Sequence, residues 1–76
     1  MPPLFDRAIA LAGLSPLLGP GTMRRALKDV GAAPETATVE HYLRCIPKLE
    51  ARLRSFYSEG EAQARAKKLY GLRDDK

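Results

Sequence analysis

His41 and Cys45 stand four residues apart in a stretch of helical spacing, so their side chains stack on neighbouring turns of one helix. A thiolate and imidazole pair, or a two-residue metal site, would use that spacing, and Arg44 and Lys48 nearby would favour a thiolate. The chemistry is incomplete. A cysteine nucleophile needs an orienting third group and an oxyanion site, and a structural zinc needs more ligands than the single His and single Cys of this chain. Gly19, Pro20 and Gly21 before a helix invite a phosphate-loop reading, but no strand precedes them and no Gly-Lys-Ser/Thr ending follows, so they read as a turn. No catalytic, cofactor-binding or metal-ligating residue is expected, and hence no enzyme.

The remaining residues with binding chemistry are basic. Arg44, Lys48 and Arg52 form a stripe at helical spacing, and Arg24, Arg25 and Lys28 extend it from a second helix; these six make a candidate basic surface for phosphate contacts. Arg65, Lys67 and Lys68 add bases on a later helix. Thirteen Lys and Arg against nine Asp and Glu leave a net charge of +4, which favours acidic partners. Acids interleave at Asp29, Glu40, Glu50, Glu59 and Glu61, and no aromatics alternate with the bases as stacking platforms. A helix-turn-helix is a poor match, because Gly31 to Ala37 is longer than the usual three- or four-residue turn.

These residues must be positioned by one stretch, Thr38 to Tyr57. Its apolar residues Val39, Tyr42, Ile46, Leu49, Leu53 and Phe56 alternate three and four apart and draw one stripe down a helix. Leu43 and Tyr57 flank the stripe, while His41, Arg44, Lys48, Arg52 and Ser55 fall on the opposite side. Pro47 interrupts the stretch, removing a bond to the Leu43 carbonyl at a cost of about 3 kcal/mol or more for a continuous helix. Two outcomes are open: one helix kinks near Arg44, or a short helix ends near Cys45 and Pro47 begins a new one; the unbroken phase of the stripe across the proline favours the kink.

The other elements follow from period and punctuation. Leu4, Phe5, Ala8, Ile9 and Ala12 predict a helix from about Pro3 to Ala12, closed by Gly13. Ser15 and Pro16 allow a single turn at most before Gly19, so Leu14, Leu17 and Leu18 should plug the core from a tight connection. Pro20 opens a second helix through Met23, Ala26, Leu27 and Val30, closed by Gly31. Thr36 or Thr38 can cap the third. Ser58, Glu59, Gly60 and Glu61 match a capping box and start a last helix from about Glu59 to Tyr70, which should bury Ala62, Ala66 and Leu69, with Tyr70 at the margin of that face, before Gly71 ends it. The predicted fold is all-α: a small compact bundle of four principal helices with a long, Pro-kinked third helix. Residues 1–76 make a single helical domain, with about 72–76 as a frayed tail.

Seventy-six residues bury only about 60% of the unfolded surface, and the lone Cys45 allows no intramolecular disulfide. A chain so placed gains from burying more area against a partner. Phe5, Leu17, Leu18, Tyr57 and Tyr70, left over from the stripe, are the candidate interface. The mixed N-terminus is not a signal peptide and no apolar run reaches a bilayer-spanning length, so a cytoplasmic location is expected. The expected function is a small protein-interaction module, open to self-association, with nucleic-acid binding as the alternative.

Overall fold

Helix α1 begins at Pro3, where a proline's missing N–H costs nothing, and ends at Leu11. The Gly13 N–H then donates to the Ala10 carbonyl at 3.0 Å and the Leu14 N–H to that of Ile9 at 3.1 Å. This pairing requires a left-handed residue at Gly13, whose φ is +69°. The computed structural model describes residues 3–74. In it, α2 spans Gly19–Asp29, α3 Val39–Arg44, α4 Ile46–Leu53 and α5 Glu59–Lys67; a 3₁₀ turn, Lys68–Tyr70, leads into α6, Gly71–Asp74. No strand occurs among the described residues, and none of these helices is long and apolar enough to cross a membrane.

The long kinked third helix is instead two helices. Cys45, at φ −81° and ψ −3°, ends α3 and starts α4. Its N–H donates to the His41 carbonyl at 3.0 Å, and its own carbonyl accepts from the Leu49 N–H at 2.7 Å. Pro47 thereby sits in the first turn of a new helix, where its missing N–H breaks no helical bond. The apolar stripe nevertheless keeps its phase: Tyr42, Ile46, Leu49 and Leu53 are all buried. It fails only at its end. Because α4 stops at Leu53 and turns, Phe56 leaves the stripe and stands 49% exposed.

α4 occupies the centre and packs against α2 on one side and α5 on the other, while α1 lies on α2 and on the 3₁₀ turn. Gly19 makes the α1–α2 approach possible. A Cβ there would come within 2.8 Å of Ile9 Cγ2 and 3.0 Å of Leu14 Cβ. The radius of gyration, 10.8 Å, matches the roughly 11 Å of a chain this length closed on one core. That core is a single cluster, with Phe5, Met23, Leu27, Tyr42, Leu49, Leu53 and Leu69 as its large buried side chains.

Three further expectations need correction. Leu14 plugs the core, but Leu17 is 92% exposed and Leu18 is also exposed. The Ser15 hydroxyl accepts from the N–H groups of Leu17 and Leu18 at 3.0 and 3.2 Å, and the turn it stabilises directs both side chains outward. Gly71 does not end the last helix: its φ is −63°, the chain continues into α6, and Leu72 is 4% exposed within the core. The frayed tail placed at 72–76 is therefore helical through Asp74, and residues 75 and 76 lie outside the described residues.

Candidate binding face

α2 and α4 pack through Met23, Ala26 and Leu27 on one helix and Ile46, Leu49 and Leu53 on the other, so the polar residues beside these stripes meet along the groove between the helices. Arg52 of α4 reaches across to Asp29, the last residue of α2. Its Nε donates to Oδ2 at 2.9 Å and its Nη2 to Oδ1 at 3.0 Å, a two-pronged pair that fixes the guanidinium plane. The hydrogen bonds from Arg52 hold the Asp29 carboxyl below its ordinary 3.8, with Lys48 and Lys28 pulling in the same direction. Asp29 likewise keeps the Arg52 guanidinium more firmly protonated.

Next to this pair lies a cleft of about 100 Å³ lined by Thr22, Arg25, Arg52, Ser55 and Phe56. Four of the six predicted bases are thus gathered: Arg25 and Arg52 at the cleft, with Lys28 and Lys48 close enough to act on Asp29. Arg24 and Arg44 are exposed but do not line it. Arg52 is the only one of the six in an ion pair among the described residues. Ser55 falls beside Arg52 as the helical spacing places it, whereas nothing in the sequence puts Thr22 or Phe56 on this face. Phe56 reads as part of the apolar stripe, yet Ser58 already marks the start of α5, and a chain reversal before it requires α4 to end short of Phe56.

The candidate interface residues are not all exposed. Phe5 is fully buried in the core and is withdrawn from the set, because the face of α1 that carries it packs inward with Ala8 and Ile9. Tyr57 is half-buried beneath the Arg65 guanidinium, whose carbon lies 4.4 Å from the ring centroid. Leu17, Leu18 and Tyr70 are exposed. A second cleft, of about 300 Å³, is lined by Arg7, Ala10, Leu11 and Leu72 and includes none of the five.

His41 and Cys45 are occupied structurally. His41 Nδ1 accepts from the Thr38 N–H at 3.0 Å, filling the reciprocal place of a capping box at the start of α3. The Cys45 thiol is buried, donates to the Tyr42 carbonyl at 3.1 Å, and is pushed up to about 12, chiefly by burial. It is held as the thiol, the unreactive form. Among the described residues no three His, Cys, Asp or Glu side chains gather as a metal site. Comparison with known proteins assigns the chain to no family: no family model matches it, and no curated protein or solved structure matches it significantly.

Proposed function

We propose that the protein is a non-enzymatic helical interaction module that binds another protein through the face shared by α2 and α4. One observation carries this reading: α2 and α4 bring Arg25 and Arg52 to the same cleft as a half-exposed phenylalanine. Arginine and aromatic side chains are the types that anchor protein interfaces. Cys45, kept buried and protonated, and His41, engaged in a cap, support the absence of catalysis. A lone buried thiol suits a reducing compartment such as the cytoplasm. The apolar stripe of α3 and α4 is consumed within the chain's own core, so a second copy would have to use other residues.

Nucleic-acid binding is the second reading, favoured by the gathering of Arg25, Lys28, Lys48 and Arg52 without enough acids to neutralise them. Solution mass by light scattering, at low and high salt, with and without a random-sequence DNA duplex, separates the two. A species that ignores the duplex at both salts is the expected result. A duplex complex that forms at low salt and dissolves at high salt would replace the interaction module by the second reading. A salt-resistant dimer would identify the partner as a second copy of the chain.

A further inference from the structure

We infer that the α2–α4 cleft receives an acidic protein segment that also carries apolar side chains, a carboxylate entering between Arg25 and Arg52 while a neighbouring apolar side chain lies on Phe56. This rests on the interaction reading above and names the partner's chemistry.

The charge of the cleft sets the first half of the assignment. A guanidinium has five N–H donors in a planar fork. Asp29 engages Nε and Nη2 of Arg52, leaving Nη1 to face other groups from an already fixed plane. Holding that plane removes part of the ordering cost that binding would otherwise impose. Arg25 has no ion pair among the described residues, so its whole fork is open to an acceptor. Two guanidiniums lining about 100 Å³ repel each other, and Asp29 offsets only one of them. The group that complements both is an anion with two oxygens, and the Thr22 and Ser55 hydroxyls can donate to it as well.

Phe56 sets the second half. It leaves the core where α4 ends and exposes 49% of its surface among charged neighbours. A carboxylate alone would make no use of it, whereas an apolar side chain one helical turn from that carboxylate would cover it. The same ring argues for a peptide over a nucleic-acid strand. Strand-binding surfaces present several rings in succession to successive bases, and only one ring lines this cleft.

The test follows backbone amide shifts of the full chain by NMR as three probes are added at physiological salt: a synthetic glutamate–leucine peptide, an oligoglutamate of the same length, and oligothymidine. The glutamate–leucine peptide should shift the amides of Thr22, Arg25, Arg52, Ser55 and Phe56. Its affinity should fall about tenfold with Arg25→Glu and several-fold with Phe56→Ala, and oligoglutamate should bind several-fold more weakly than it does. Unchanged amides around Tyr42 and Leu49 establish that each variant is folded. Shifts elsewhere or none, equal binding of oligoglutamate, indifference to Phe56→Ala, or tighter binding of oligothymidine would each overturn the assignment. If the peptide fails while the chain still ignores duplex DNA in light scattering, only the cleft's occupant is refuted; a salt-sensitive duplex complex refutes the interaction reading itself.

Discussion

Arg65 Nη1 donates to the Gly13 carbonyl oxygen at 2.6 Å, tying α5 to the left-handed residue that closes α1. The same guanidinium places Nη2 2.9 Å from Glu61 Oε1 and lies over the Tyr57 ring. Three contacts, one of them within α5, meet on one rigid plane. Arg65→Ala should lower the unfolding free energy by about 1–3 kcal/mol, the range of a charge-assisted hydrogen bond with a cation–π contact. Arg65→Lys should recover less than half of the loss, because an ammonium cannot serve carbonyl, carboxylate and ring together. Urea unfolding of the two variants measures both.

At Gly19, the start of α2 lies directly against Ile9 of α1 and Leu14 of the connection. The atoms a new methyl would meet include Leu14 Cβ, which is anchored to the backbone and cannot swing away. Gly19→Ala should therefore destabilise the protein by about 1–3 kcal/mol, despite alanine's better helix propensity. A midpoint in urea equal to or above the parent's would show that the helices separate without cost.

Tyr42 is sealed in the core with its hydroxyl unpartnered among the described residues. Burial, then the charges of Cys45 and Asp6, pushes its phenol from 10.0 up to about 12, and burial pushes the Cys45 thiol from 9.0 up to about 12. The folded chain therefore holds more protons than the unfolded one above pH 9 for Cys45 and above pH 10 for Tyr42. Both contributions are complete below those values and are lost as pH rises, each at up to about 1.4 kcal/mol per pH unit. Tyr42→Phe should be as stable as the parent or about 1–2 kcal/mol more stable at neutral pH, and its advantage should widen above pH 10. Denaturation at pH 7 and pH 11 would show a constant gap if the hydroxyl were solvated.

The Asp29–Arg52 pair acts at the opposite end of the scale. Arg52 holds the Asp29 carboxyl below 3.8, so the stabilisation is present above that value and is lost as pH falls through the lower folded value. Both groups are solvent-facing, and salt should weaken the pair. The Asp29 carboxyl carbon, followed by NMR from pH 6 to pH 2, should titrate below 3.8 in the parent and move upward in Arg52→Ala.

Most helices were legible because apolar period and punctuation agree: Gly13 and Gly31 end α1 and α2 with φ of +69° and +76°, and the Ser58 hydroxyl accepts from the Glu61 N–H at 3.3 Å to begin α5. The break at Cys45 was hidden because the stripe keeps the same phase on both sides of Pro47, so periodicity cannot tell a kink from a new start. Gly71 was misleading because a glycine beside a helix end usually supplies a left-handed turn. Here it makes room, with Leu11 Cδ2 only 3.1 Å from where a Cβ would stand. The bases of the binding face were visible as two stripes. Their meeting was not, because Arg25 and Arg52 are joined by the packing of α2 on α4, a relation no local spacing records.

The sealed ring of Tyr42 also equips the chain with its own optical probe. There is no tryptophan, so its ultraviolet emission comes from three tyrosines, one buried, one half-covered by Arg65 and one open to solvent at Tyr70. A small neutral quencher would reach them in graded order. Loss of the protected fraction would report opening of the core without a label.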